Sequence, residues 1–495
     1  MAASLAAAAL AAPSQAASLR VVVVPGLEPG DLAALAERGA VGLLVPDAGP
    51  ETSAGRARAA LERGAVRNSL LGEISGDEPL IEVETANAVP QGRAIVLALP
   101  RGERQPNDRR YAIAVLGGGY RGLLTSPSTR IPGLVSIVDV APTSLGRGDA
   151  LGSTASADPL AALRELDERI EANRDAKLVV LLLSLALIVA LAVFLPSAVL
   201  PAFALVLLAN LALGAAGSTA VWVDALGVVL AAGAGILLSR AGALVQGLLQ
   251  VGVLAAYLVA TALDERWVAL SPLGPTQNAR FYGLSNLLAT WLLVPALAGA
   301  VLLGRKLGAW AFCTVAALAV VVVGGSSFGA DGGGAVVLLV SFVVLAALHY
   351  GFDRRLAVGA AVVLGALAVA LVAGGSSHVT DALSDGPAGL VEDLWRRARL
   401  SFERATGGPV ALLVFGGVAA LAAAALRERR PLLLALLAAI GVSLLVNDSP
   451  NDVVLGGLAG YLVLSSAPGL ARPATGRAGR APRERRARTA PASGS

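Results

Sequence analysis

The sequence predicts two architectures in one chain. An N-terminal extracytoplasmic α/β sandwich on a mostly parallel sheet precedes an all-α polytopic transmembrane bundle of about eleven helices. Three observations predict it. Of the 495 residues, 56% are hydrophobic and 15% charged, and the mean hydropathy is +0.71. A soluble domain is nearer about 25% charged, so much of this chain must face lipid. The deficit is uneven, because charges are frequent before Lys177 and sparse after it. Short apolar runs alternate with helical patterns before that boundary, and apolar runs long enough to cross hydrocarbon follow it.

Residues 1–17, "MAASLAAAALAAPSQAA", combine an apolar run with small residues and read as a signal-like segment cut near Ala16 or Ala17. The usual basic start is missing, so an uncleaved first helix is the alternative. Residues 18–176 form the α/β domain. "LRVVVVPGL" suits a buried parallel strand, and "EPGDLAALAERGA" a helix ended by Gly39. "VGLLVPDAG" is strand-like and "AGRARAALERGA" helical, while "RAIVLALP", "RYAIAVLGGG" and "LVSIVDVAPT" are further strands. Ligands of such sheets bind beyond the carboxyl ends of the strands. That rule gathers Pro25, Gly26, Asp47 to Ser53, Gly117 to Arg130 and Asp139 as candidates for one rim. "GGGYRG" fits a dinucleotide fingerprint by spacing, but "LLTSPSTR" follows it where a helix should open, so it reads as a glycine loop. "DPLAALRELDERIEANRDAK" is helical and leads into the first span.

Residues 177–471 are the transmembrane domain. Candidate spans begin near Leu178, Val199, Val221, Ala243, Asn286, Leu307, Ala335, Leu356, Pro409, Leu432 and Val453, with a break expected between Pro196 and Pro201. Arg240, Arg305, Lys306, Arg354, Arg355, Arg427, Arg429 and Arg430 fall in alternate loops, and the basic tail 472–495 reads as disordered. Lys and Arg mark the cytoplasmic side. The tail is therefore expected inside and the α/β domain outside a plasma membrane. The formal net charge is only +4 and the basic residues crowd the C-terminus, which speaks against nucleic-acid binding. The single Cys313 permits no intrachain disulfide and reads as a small buried apolar residue.

"VVVVPGLEPGDL" followed by "GAVGLLVPDAGPETSAGRARAALERGAVRNSLLG" resembles the start of alkaline-phosphatase/sulfatase superfamily domains. There a first strand ends in a metal-binding Asp, and a Thr or Ser nucleophile opens a helix. "GLLTSPSTRIPGLVSIVDVAPTSLG" is similar to the closing segment of that fold, where D-x-x-P-T follows the last metal-ligand histidine. The chain as a whole looks like uncharacterised bacterial polytopic membrane proteins that join such a domain to many spans. Those carry motifs like "RFYG-x-x-N", "GAD-x-GG" and "NDS" in their outer loops. The resemblance implies an alkaline-phosphatase-like sandwich with a degenerate metal site. Pro25 stands at the strand-end Asp position, and both histidines, His349 and His378, lie in the membrane half. Zinc centres favour His or Cys ligands, so no metal and no cofactor is expected.

By position Thr52 or Ser53 corresponds to the nucleophile; each also suits a helix cap, or an anion site at a helix N-terminus. Ser126, Ser128, Thr129 and Arg130, near Asp139, could grip an anion through charge-assisted hydrogen bonds. Asp139 alternatively caps a turn or touches that loop. Arg280, Tyr282, Asn286, Asp331, His378, Asn447 and Asp448 stand at outer span ends, where ionisable groups either line an aqueous cavity or simply meet water. "GLVEDLWRRARLSFERA" can lie amphipathically in the headgroup boundary. The expected function is an envelope membrane protein whose outer domain binds an anionic component, a phosphorylated sugar, lipid or polymer, without metal-dependent hydrolysis. The alternatives are a glycosyl or phosphoglycosyl transferase or polymer ligase with a lipid-linked sugar donor, and a transporter or flippase.

Overall fold

The computed structural model describes residues 19–66, 78–147, 151–275, 281–325, 328–329, 332–350, 386–407, 410–447 and 449–471. The signal-like segment and the basic tail lie outside them.

Ten strands are present among these residues: β1 (Arg20–Val23), β2 (Gly39–Val45), β3 (Glu51–Thr52), β4 (Val83–Thr85), β5 (Ala94–Leu97), β6 (Gln105–Pro106), β7 (Tyr111–Leu116), β8 (Gly122–Thr125), β9 (Leu134–Ser136) and β10 (Gly152–Thr154). The main sheet runs β10-β8-β2-β7-β5-β1-β4, with β9 also on β2, while β3 and β6 pair apart. The sheet is mixed but mostly parallel, because β7 and β10 alone run against the rest.

Side chains alternate across the sheet with the two-residue period of a strand. Val22, Ala94, Val96, Ala112 and Ala114 face one layer; Val21, Val23, Ile95, Leu97, Ile113 and Val115 face the other. The first layer is α1 (Leu32–Ala36) with the outer part of a long helix, whose Leu163, Leu166 and Ile170 enter that core. The second is α2 (Ala54–Arg63) and α3 (Val140–Ser144), through Ala57, Ala60, Leu61 and Val140. Burial of both faces explains the unbroken apolar runs of β1, β5 and β7.

Three local expectations are corrected. Helix α1 stops at Ala36, and Gly39 opens β2, where a Cβ would stand 2.0 Å from the Val115 carbonyl oxygen. "LVSIVDVAPT" is a strand only over β9; it then coils into a single turn, Ile137–Asp139, and α3. "GLLT", absent from the expected strands, is strand β8.

The long helix α4 (Pro159–Phe194) passes unbroken from the sheet into the bundle over 36 residues, about 54 Å at the α-helical rise. Leu195 separates it from α5 (Pro196–Ala216), which opens on Pro196; the break expected between Pro196 and Pro201 falls just before Pro196, and Pro201 lies inside α5. The order continues with α6 (Val221–Leu238), α7 (Ala243–Leu263), α8 (Arg266–Ala269), α9 (Asn286–Leu307), α10 (Ala309–Gly324), α11 (Gly332–Tyr350), α12 (Gly386–Thr406), α13 (Val410–Glu428), α14 (Pro431–Val446), α15 (Pro450–Ser466) and α16 (Pro468–Ala471). Seven of the described helices are long and apolar enough to cross a membrane: α4, α5, α6, α7, α9, α11 and α13. Helices α10 and α14 are apolar but shorter, and the span expected near Leu356 lies outside the described residues.

Helix α9 is the axis of the bundle, its apolar stretch wholly buried. Gly247 and Gly299 bring α7 close to it, and Gly456 of α15 seats against Thr290. Small residues of this kind set close helix packing where lipid gives no hydrophobic drive. Arg305 donates to the Gly469 carbonyl and Arg430 to that of Ser465, so these basic turns gather at the end remote from the sheet.

Candidate functional site

One sheet edge carries the carboxyl ends of β1, β2, β5 and β9, and with them Pro25, Gly26, Asp47 to Ser53 and Asp139. Gly117 to Gly119 do not join this rim. Strand β7 runs antiparallel, so its end faces the start of β2, and Gly117 N donates to Arg38 O at 3.1 Å. The "GGGYRG" segment, with Gly117, Gly118, Gly119 and Gly122 all at positive φ, is a turn between β7 and β8 and opens no helix.

The loop after β2 closes on itself. Ser53 Oγ accepts from Arg56 N at 3.1 Å and caps α2, which Gly64 ends in the left-handed conformation. Asp47, buried, pairs with Arg56 at 3.0 Å. Asn107 Nδ2 ties down the Asp47 and Gly49 carbonyls at 2.9 and 2.8 Å. Thr52 is buried in β3, and its hydroxyl has no hydrogen-bond partner among the described residues.

The second loop is an excursion from an interrupted strand. Gly122 and Leu123 pair with the first half of β2, and Leu134 to Ser136 with its second half; the chain between them swings outward. Buried Asp139 organises it, accepting from Ser128 N at 3.2 Å, from Ser128 Oγ at 2.7 Å and from Ser126 Oγ. Thr129 Oγ1 donates to Leu134 O at 2.5 Å. Ser126, Ser128, Thr129, Arg130 and Asp139 are thus brought together, with the three hydroxyls turned to the protein's own acceptors. Arg130 sits at φ 56°, a left-handed geometry that a non-glycine residue adopts at some cost. It reaches out of the domain: Nη1 meets Glu265 Oε1 at 3.0 Å, and Cζ lies 3.9 Å from the Tyr282 ring centroid. The pair is mostly shielded, the side chains 24% and 16% exposed. An ion pair and a cation–π contact therefore join the α/β domain to two loops of the bundle.

Glu265 stands on a loop fixed from several sides. Arg169 donates to the Gly214 and Leu270 carbonyls, and Asn173 to Leu270 O at 2.7 Å. Asn210 donates to Ser271 Oγ at 3.0 Å and to Tyr257 Oη at 3.2 Å, and accepts from Leu273 N at 2.9 Å. A small cleft lined by Asn173, Arg174, Ser271, Pro272 and Phe281 opens between α4 and this loop. Burial pushes the Asp264 carboxyl up, but hydrogen bonds from Arg266 outweigh it and hold the group below its ordinary range. Sequence reasoning missed Glu265, Arg169, Asn173, Asn210 and Tyr257. Asn210 and Tyr257 did carry a signal, a polar side chain inside an apolar run.

Of the seven cavity candidates, Arg280, Asp331, His378 and Asp448 lie outside the described residues. Tyr282 is the partner of Arg130. Asn286 is the first residue of α9, and its carbonyl accepts from Thr290 Oγ1 at 2.7 Å. Asn447 is buried, donates to Ser443 Oγ at 2.7 Å, and places Oδ1 2.7 Å from where a Cβ on Gly333 would stand. Leu284 N donates to Gly329 O at 3.0 Å. Leu284 thus meets Gly329, and Asn447 lies against Gly333, at the end of the bundle that carries the sheet.

The rim's buried carboxylates are engaged, Asp47 with Arg56 and Asp139 with Ser126 and Ser128, and among the described residues no three His, Cys, Asp or Glu side chains gather as metal ligands would. Comparison of the chain with protein-family models, with curated proteins and with solved structures gives no match.

Proposed function

We propose that this multi-pass membrane protein uses its α/β domain as a non-hydrolytic module latched onto the outward mouth of the bundle, where it engages an anionic envelope component. The ligand class is a phosphorylated sugar, lipid or polymer. One observation carries the reading: Arg130 leaves its own domain to share Glu265 and Tyr282 of the bundle. An arriving phosphate would compete with Glu265 for the guanidinium, since arginine matches both acceptors. Binding would then loosen the latch and pass the event to the loop that holds α4, α5 and α7. The placement of the sheet end outside the cell and the tail inside it rests on the basic turns at the remote end.

Titration of the full-length protein in nanodiscs with inorganic pyrophosphate and with a sugar phosphate tests this. Glu265→Gln is expected to tighten binding and Arg130→Gln to abolish it. Unchanged binding in both variants would remove Arg130 from the site.

A second reading rests on the contacts of Leu284 with Gly329 and of Asn447 with Gly333. A transferase or polymer ligase with a lipid-linked donor, or a flippase, would work at that patch. Loss of envelope polymer in a strain carrying Asn447→Ala, with anion binding intact, would favour it.

A further inference from the structure

Helix α12 presents a surface that neither the sheet rim nor the latch uses. Trp395 and Phe402 are 72% and 63% exposed. They are seven residues apart, two helical turns, and so share one side. Arg399 lies between them on that side, and Arg396 and Glu403 follow around the helix, all exposed. The opposite side is buried through Leu400, Ser401 and Ala405. Ala405 packs with Val410 and Val414 of α13, Leu444 of α14 and Val454 of α15. Those residues lie within two turns of the helix ends nearest the sheet. Arg404 Nη1 also donates to Ser449 Oγ, just before α15, at 3.2 Å. The C-terminal part of helix α12 therefore packs on the sheet-facing ends of three neighbouring helices, a level that would fall at the acyl–headgroup boundary of a membrane those helices span. An arc that sets aromatic rings beside guanidinium groups matches the two chemistries of that zone.

We infer that α12 is an interfacial helix that binds anionic phospholipid, with Trp395 and Phe402 in the upper acyl layer and Arg396 and Arg399 on the phosphates. Each arginine near an anionic surface contributes roughly a fivefold preference at low salt.

The test is quenching of Trp395 in full-length protein in nanodiscs, isolated by difference from Trp395→Phe. Brominated phosphatidylglycerol and brominated phosphatidylcholine are compared at equal mole fraction. The expected result is stronger quenching by phosphatidylglycerol, an excess lost in Arg396→Gln/Arg399→Gln and kept in Arg396→Lys/Arg399→Lys. Equal quenching by both lipids would leave only apolar contact and overturn the assignment. Absence of quenching by either, with a dimeric mass, would mean that a second copy covers this face.

Discussion

The loops 46–53 and 126–133 leave neighbouring strands at the same sheet edge, and their compositions are alike. Each is short, rich in proline and hydroxyls, and braced by one buried aspartate. Yet the first is closed and the second is open. Asp47 meets Arg56 nine residues away, and Ser53 caps the helix that follows. Asp139 accepts from the hydroxyls of Ser126 and Ser128 and the Ser128 amide of the loop before it. Arg130 is left to find its carboxylate 135 residues downstream. The same residue types build a self-contained helix start in one case and an interdomain latch in the other. What separates them is where the charge partner sits in the chain.

The comparison can be broken most severely at Asp139. Asp139→Ala should cost about 3 kcal/mol, because two hydroxyls and an amide lose a buried carboxylate. Hydrogen exchange would show residues 126–133 opening while 46–63 stay protected. Ser53→Ala should do the converse on a smaller scale, about 1 kcal/mol, fraying the first turn of α2 and leaving the latch intact. The smallest effect concerns acid. Because the folded-state pKa of Asp264 is depressed, its contribution is present above the unfolded value of about 3.9 and is lost as pH falls through the folded one. Arg266 is half exposed, so the loss should be slight and screened by salt. Thermal melts at about pH 5 and about pH 3 with Asp264→Asn as reference would read it; a melt that rises on acidification in the wild type alone would contradict the assignment.

Much of the fold was legible because its signals are local. Apolar runs marked strands and spans, Ser53 marked the start of α2, and the prolines marked a break near the end of α4, although Pro201 proved to lie within α5. Strand direction was not legible. "RYAIAVL" reads the same in either sense, and only its partners β2 and β5 make it antiparallel, which moved Gly117 to the far edge. The split of one strand into β8 and β9 was hidden for the same reason. In the candidate site, the residues of "SPSTR" and Asp139 were identified as a group. Their destination was not, because Glu265 lies in "LDERW", where nothing nearby marks it as a long-range partner.

Arg130 couples the sheet domain to the bundle through Glu265. The most direct test of that coupling is a double-mutant cycle of Arg130→Gln and Glu265→Gln, read as hydrogen exchange of residues 264–275 in full-length protein. Exchange is expected to be faster in each single variant with no further gain in the double, a coupling energy of about 1 kcal/mol. Additive effects, or exchange unchanged from wild type, would contradict it.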